Sequence, residues 1–365
     1  MDFTFEEEQR LAAQSLRELL DDHCTGADLR RAAEAREAQA FLAACAPRRA
    51  KLAELGLAGA LVPADQGGLG LAAIDFVLLA EEAGRAALPE PLIDCEGIAH
   101  PLLATLARHD VAAAPVLDAV LQGTSSAPLV VCAWPGAPAV AWAPFADFFL
   151  TGKDFGALEL HRAADVAIES VASVDPLRRC GVVHSSDKPV AVLRGAAGEA
   201  AWTAARLRHD VFVAGQLLGL ATRMTEIAVA YALERKQFGR AIGSNQSIKH
   251  QLADVQIRSE FARPVLHAAA AELRALRVSH AVVATGDAAD RAARTAIQIH
   301  GAMGYSWELD LQFYAKRAWS LIGLGHGRAG HVRFIHDALR DGSAALGPDA
   351  LFAASDVAAS DLEQS

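Results

Sequence analysis

The sequence predicts a mainly α-helical protein with a β insert between two helical ends. Three observations carry that prediction. Residues 1 to about 122, and again the chain from Asp210 onward, read as helices with apolar faces. The composition is alanine-rich, 52% hydrophobic and only 6% aromatic, which suits close-packed helices. From about 125 to 200 the text changes to short apolar runs punctuated by Pro and Gly, the mark of strands and turns.

A chain of 365 residues is too long for one small core. The expected division is a helical domain over 1–122, a reduced β domain over 123–205, a helical bundle over 206–345 and a mobile acidic tail over 346–365. No run reaches the roughly 18 to 20 apolar residues of a membrane span. The acidic start lacks the basic-then-apolar plan of a secretion signal. Five cysteines, odd in number and without metal-ligand spacing, suit a reduced thiol set and a cytoplasmic location. The histidines show no ligand spacing either, so no metal site is expected. A formal charge of -10 argues against general nucleic-acid binding. An anionic ligand would therefore need a local cationic patch.

The elements follow in order. Leu11, Leu16, Leu19 and Leu20 mark a first helix behind acidic Glu6 to Glu8, which suit a helix N-terminus. A helix around Leu52 runs into a turn at Pro63 and Gly67-Gly68, and Asp75 to Gly84 forms an amphipathic helix closed by glycine. Strands are expected at Pro128 to Trp134, Val140 to Ala143, Asp147 to Leu150 and Lys188 to Arg194. A long helix from Val211 to Tyr231 carries small residues that permit close packing. Further helices are expected over Gln246 to His280, Asp287 to Gln298, Gln312 to Leu321 and from His331. A glycine-containing loop interrupts them after Gln298.

The most informative stretch is Tyr231 to His250. An apolar helix runs into Arg235, Lys236 and Arg240, and the backbone loosens at Gly239 and Gly243 before a helix resumes near Gln246. A fork-shaped donor at Arg235, the ring of Phe238 and a glycine bend suit a phosphate with a flat ring nearby. Cations at a helix end also answer the helix dipole, which is the plainer account.

Taken in order, Glu234-Arg235-Lys236-Gln237-Phe238-Gly239-Arg240, Ile242-Gly243-Ser244, Gln246 and Ile248-Lys249-His250 closely resemble the signature of the acyl-CoA dehydrogenase family. Leu52, Glu54-Leu55-Gly56-Leu57, Val62-Pro63, Gly67-Gly68, Gly70-Leu71 and Glu81-Glu82 with Gly84 are similar to that family's N-terminal helical domain. The resemblance implies an N-terminal helical domain, a middle β domain and a C-terminal helical bundle, with FAD as cofactor. It implies that Arg235 and Phe238 reach across a subunit interface to the pyrophosphate and adenosine end of FAD, with Gln246 facing the same cofactor. Gln298 to Ala302 resembles the family's Gln-x-x-Gly-Gly element, which places Gln298 and Gly301 on the ADP half of a neighbouring subunit's FAD. Trp307, Glu308 and Asp310 are similar to a family run read as packing and interface. Three departures stand out. Asn245 replaces an aromatic, Ala302 replaces a glycine, and Cys132 to Pro138 stands where a Thr-Glu-Pro element holds the flavin ring and thioester.

The family's reaction removes a proton from the α carbon of a CoA thioester while hydride leaves the β carbon, so it needs a desolvated carboxylate. His326 falls where most of the family carries that Glu. Asp210 falls where a minority carries it, just ahead of the signature helix. Asp210 is thus the candidate base, with an N-cap of a helix starting at Val211 as the plain alternative. His326 stands as a second candidate base. The uneven resemblance implies a subunit of a heteromeric enzyme, an α2β2 heterotetramer with a homologous acyl-CoA dehydrogenase chain. It further implies an acyl-CoA substrate of bulky, steroid-like type, and electron-transfer flavoprotein or a similar acceptor. Three alternatives stay open: a non-catalytic subunit completing a partner's FAD site, a homotetramer, and an oxidase.

Overall fold

The computed structural model describes residues 5–344, so the expected acidic tail over 346–365 lies outside the described residues. Among the described residues, eleven α-helices and nine short strands order themselves as predicted in kind, helices at both ends and most strands between. The described chain groups into two compact units. One gathers residues 5–13, 77–87 and 210–344, and the other residues 14–76 and 88–209.

The second unit opens with helix α1 (Glu7–His23), whose larger part it holds. Leu16 and Leu20 are buried on one face, as their spacing predicts, but Leu11 is exposed and does not join them. Helix α2 (Gly26–Glu34) starts from a capping box in which Thr25 and Asp28 satisfy each other's backbone amides. Helix α3 (Ala38–Glu54) carries Arg48, whose buried guanidinium meets buried Glu90 at 2.8 Å. A buried pair of this kind is costly to break from one side, because the partner charge stays uncompensated. Helices α5 (His100–His109) and α6 (Ala114–Leu121) follow.

Between α3 and α5 the chain winds as a π-helix over Ile93–Ala99, a rare geometry that widens the turn. Glu96 on this turn and His100 after it line a cavity of about 80 Å³ together with Arg49. Burial pushes the Glu96 carboxyl up to about 8 from 4.5, and its Oε2 finds no hydrogen-bond partner among the described residues. Burial pushes His100 down from 6.5 to about 4, against the opposing effect of its hydrogen bond with the Ala58 carbonyl. Stability from protonated Glu96 is complete below 4.5 and lost as pH rises through about 8. Stability from neutral His100 is complete above 6.5 and lost as pH falls towards 4. The two slopes oppose each other below 6.5, so the Glu96 contribution emerges alone above it. The melting temperature is expected to fall between pH 6.5 and 8 and to fall less in Glu96→Gln, measured by thermal denaturation across that range. Equal losses in the two proteins would remove Glu96 as the cause.

The β insert forms two sheets. Strands β1 (Val130–Cys132), β3 (Phe148–Thr151), β4 (Ala157–Arg162) and β7 (Ala191–Arg194) build the first, in the order β1-β3-β4-β7. Strand β1 runs parallel to β3 with Val130 opposite Phe148, and the other pairs are antiparallel. Strands β2 (Val140–Ala141), β6 (Cys180–His184) and β5 (Ala167–Val171) build the second. The expected strands near 130, 140, 148 and 191 are present, and β4, β5 and β6 are additional. None of Cys24, Cys45, Cys95, Cys132 and Cys180 is in a disulfide, and burial pushes the thiols of Cys45, Cys95 and Cys132 up.

In the first unit the C-terminal bundle is built from the later part of α7 (Ala196–Glu234), then α8 (Gln246–Glu272), α9 (Ala275–His300), α10 (Leu311–Ile322) and α11 (Gly327–Arg340). The expected helix to His280 instead ends at Glu272, where Leu273 takes a left-handed φ of 47°, and α9 runs unbroken past Asp287. Ala281, Ala288, Ala289, Ala292, Ala293 and Ala296 are buried along α9, and such small side chains let helices pack closely.

The later part of helix α4 (Ala73–Arg85) belongs to this unit. It crosses α7 backbone to backbone. A β carbon at Gly84 would overlap the Gln216 carbonyl, and one at Gly219 would overlap the Glu81 carbonyl and stand 2.7 Å from the Arg85 nitrogen. Glu81 then ties α4 to α8, accepting from Arg263 Nη1 at 2.5 Å and meeting His267 Nε2 at 2.9 Å. Among the described residues no helix is long and apolar enough to cross a membrane.

Candidate active site

Asp210 lies inside α7, well past its start at Ala196, so it caps no helix and the N-cap alternative is overturned. The reason is local. Gly195, at φ 65°, makes the turn into the helix, and the chain stays helical from there through His209. Asp210 is 5% exposed, a carboxylate in the core. Such a group keeps its place only where neighbours justify the lost hydration.

Two neighbours come from the far end of the bundle. His331, on α11 and 1% exposed, points Nε2 to 3.8 Å from Asp210 Oδ2. Its Nδ1 lies 3.0 Å from the hydroxyl of Ser279, which α9 supplies and which is fully buried. On the other side, the loop between α10 and α11 passes over Asp210 as bare backbone. A β carbon built on Gly325 would stand 3.7 Å from Asp210 Oδ1. Gly325 and Gly327 both hold left-handed φ values, 58° and 59°, which glycine adopts without cost. His326 sits between them, half-buried, with its ring edge-on to His331 at 6.1 Å. The two candidate bases, far apart in sequence, therefore converge on one place. Only Asp210 brings a carboxylate there. Sequence reasoning missed Ser279 and His331, which stand on separate helices with no local pattern around them; only the bundle brings them to Asp210.

The residues expected to meet the cofactor gather elsewhere on the same unit. The end of α7 leads into a two-strand hairpin, β8 (Lys236–Gln237) and β9 (Arg240–Ala241), whose turn is Phe238-Gly239. Gly243 lets the chain leave this hairpin against the end of α7, since a β carbon there would stand 2.9 Å from the Ala232 carbonyl. Tyr231 stacks on His300 at 4.1 Å, which brings the end of α7 beside the end of α9, where Gln298 and Gly301 lie. Arg235, Phe238, Gln246, Gln298 and Gly301 are all exposed. The Arg235 guanidinium makes no hydrogen bond or ion pair among the described residues. Helix α8 begins with no side-chain cap, and the Asn245 side-chain Oδ1 accepts instead from Arg240 Nη2 at 2.9 Å. An unpaired guanidinium beside an uncapped helix N-terminus can hold a phosphate.

Phe238 is the outlier. It is 100% exposed and has a φ of 51°, a region that costs a non-glycine residue about 1 to 2 kcal/mol. Tight hairpins of this kind favour Asn-Gly. Phe238→Asn is expected to stabilise the chain by about 1 kcal/mol in denaturant titrations while weakening any aromatic contact the ring makes. A loss of stability would show that the ring already packs within the chain.

The segment Cys132 to Pro138 leaves β1 as a loop. Trp134 is held there between Trp202 and His209, each with its ring centre 5.3 Å away. No hydroxyl or carboxylate of this loop replaces the absent Thr-Glu-Pro. Arg208 is half-buried in the same unit, where lost hydration pushes its guanidinium down to about 10, and its Nε has no partner among the described residues.

Comparison with known proteins bears on the family and the fold. The profile of the acyl-CoA dehydrogenase N-terminal domain matches residues 6–109, and that of the C-terminal domain matches residues 201–323. The acyl-CoA dehydrogenase IpdE2 of Mycobacterium tuberculosis is 30% identical over 266 residues, 73% of this chain and 77% of that one. The crystal structure of the ChsE4–ChsE5 complex from Mycobacterium tuberculosis superposes with a TM-score of 0.79 at 21% identity, covering 93% of this chain and 99% of its own. The Tcur3481–Tcur3483 steroid ACAD superposes with a TM-score of 0.75 at 22% identity, covering 93% and 99%. Both matched domains lie in the helical parts, and the β insert between them matches neither profile. With one relative at this identity and two family domains over most of its length, the chain belongs to the acyl-CoA dehydrogenase family of flavin-dependent oxidoreductases.

Proposed function

We propose that the chain is a subunit of an FAD-dependent acyl-CoA dehydrogenase, with Asp210 as the base that removes the α proton of a CoA thioester. The observation that carries this reading is a single buried carboxylate, Asp210, under the bare Gly325 backbone, at the point where the two possible base positions of the sequence converge. Burial strips water from the carboxylate, as a base for a weakly acidic carbon requires. The glycine loop approaches Oδ1 without a side chain at Gly325. As the α C–H bond breaks, its electron pair passes into the forming double bond and the proton goes to Asp210. When bound, FAD supplies the acceptor for the hydride that leaves the β carbon.

Arg235, Phe238, Gln246, Gln298 and Gly301 are exposed on one edge, free to meet a cofactor held mainly by another chain. Arg235 and the start of α8 would hold its pyrophosphate, and Phe238 would pack against its adenosine end. The poor match of the β insert, with Trp134 locked against Trp202 and His209, supports a partner that supplies the ring-holding β domain. That partner is a homologous acyl-CoA dehydrogenase subunit in an α2β2 heterotetramer, and exposed Ile257 and Phe261 on one face of α8 suit cover by another chain. The segments 1–122, 123–205 and 206–345 then act as helical wall, reduced β insert and interface bundle. The substrate is a bulky, ring-bearing CoA ester, by analogy with a structural neighbour named as a steroid enzyme, and an electron-transfer flavoprotein or similar protein would serve as the electron acceptor.

The same β insert favours a second reading, in which the chain is a non-catalytic subunit that completes its partner's FAD site. Co-expression with a homologous partner tests both. The reading predicts flavin absorbance in the purified pair, little flavin in this chain alone, and reduced flavin content in Arg235→Ala. A chain that is yellow alone, with about one flavin per subunit, would replace the heteromer with a homotetramer. Full flavin content in Arg235→Ala would remove that residue from the site.

A further inference from the structure

The bundle holds a second buried polar group against Asp210 that the reaction as described does not use. We infer that His331, oriented by Ser279, is a positioning residue that aims the carboxylate of Asp210 through its Oδ2. The inference rests on the reading of Asp210 as the base.

The two carboxylate oxygens have different surroundings. Oδ2 faces His331 Nε2 at 3.8 Å, while Oδ1 faces the glycine loop, where a β carbon on Gly325 would stand only 3.7 Å away. The Oδ2 side is closed by an imidazole that is 1% exposed. His331 cannot swing away, because its other nitrogen lies 3.0 Å from the Ser279 hydroxyl on a different helix. When that hydroxyl donates to Nδ1, the remaining ring proton sits on Nε2 and points at Oδ2. At 3.8 Å the contact is in ion-pair range and longer than a hydrogen bond. Catalytic contacts are often long in the free enzyme and tighten when substrate closes the site. The imidazole thus fixes the carboxylate plane, and a base misaimed by about 1 Å loses on the order of 10²-fold in rate.

The shorter side chain of Asp210 gives this device a purpose. Aspartate reaches one methylene less than glutamate, so its carboxylate must be aimed more narrowly to meet a carbon of fixed position. Helix α11, which starts just after the glycine loop, supplies the aiming group from the same segment that roofs the site. His326, edge-on to His331, packs over the first turn of α11. Glycine at position 330 makes this possible, since a β carbon there would stand 2.6 Å from His326 Cβ.

The test uses the assembled, flavin-loaded enzyme with an acyl-CoA substrate and four variants. Ser279→Ala and His331→Phe are expected to lower kcat by about 10- to 100-fold with KM, flavin content and melting temperature little changed. Their primary isotope effect on the α-deuterated substrate should rise, because proton removal becomes more rate-limiting. His331→Gln keeps a donor near Nε2 and should recover most of the lost rate. Asp210→Asn separates this inference from the reading beneath it. If Asp210→Asn is inactive while Ser279→Ala and His331→Phe turn over and show isotope effects like the parent, the positioning role is overturned and the base stands. If Asp210→Asn is fully active, the base reading falls and this one with it. If His331→Phe fails to fold, Ser279→Ala alone decides by the same two readouts.

Discussion

Asp210→Asn is expected to lower turnover of the assembled enzyme by about 10²- to 10⁴-fold, the contribution of one well-placed general base. The substitution keeps the volume and most polar contacts of the side chain, so the loss should appear in kcat with flavin content unchanged. Burial makes the effect large. Asp210 is 5% exposed, and water cannot easily take over as base in a site closed by α11 and the glycine loop. His331 stands 3.8 Å from Asp210 Oδ2 with His326 edge-on to it, and neither brings a carboxylate to this place. His326 alone acting as base predicts the reverse pattern, with His326→Gln inactive and Asp210→Asn active. Steady-state kinetics on both variants, with flavin content measured from the visible spectrum, decides between them.

Gly219→Val is expected to be the most destabilising single change in the bundle, by at least about 3 kcal/mol. A β carbon at Gly219 would run into the Glu81 carbonyl and the Arg85 nitrogen, both backbone atoms of α4 that no rotamer change can move. The two helices would have to separate. That movement would pull Glu81 from Arg263 and His267, which tie α4 to α8, and a buried carboxylate without partners adds its own cost. Gly219→Ala should be milder in degree and the same in sign. Urea titration measures it, and a change within about 0.5 kcal/mol for the valine variant would mean that the helices cross less closely than these contacts require.

The helical ends were legible because their signals are local. The Arg235 to His250 order fixes a helix end, a bend and a helix start within twenty residues, and the structure places all three as expected. The strained turn at Phe238 was not legible, because nothing in the residue type announces a left-handed φ; Asn or Gly would have done so. The start of α7 was misplaced for a physical reason. Asp is a preferred N-cap, so Asp210 before a long apolar run looks like a helix start. Here the helix begins at Ala196, and Asp210 is held inside it by burial and not by free amides. The break between α8 and α9 falls at Leu273, a residue that rarely takes a left-handed conformation and so gives no warning.

The missing strands divide in the same way. In β4, five of six residues are buried, which hides the alternation that marks a half-exposed strand. In β5 no residue is buried, so there is no apolar run to find. Within the candidate site, single residues with a family counterpart could be read, and the array around Asp210 could not. Ser279 and His331 become neighbours of Asp210 only when three helices pack.

The most direct test of Asp210 as the base follows the α proton itself. An acyl-CoA whose β carbon cannot give up hydride, incubated with the flavin-loaded complex in deuterated water, reports proton removal without the redox step. Mass spectrometry of the recovered thioester is expected to show deuterium at the α carbon with the parent enzyme and with Arg235-intact controls, and none above the uncatalysed rate with Asp210→Asn. Undiminished exchange in Asp210→Asn would contradict the assignment and move the base to another residue or to the partner chain.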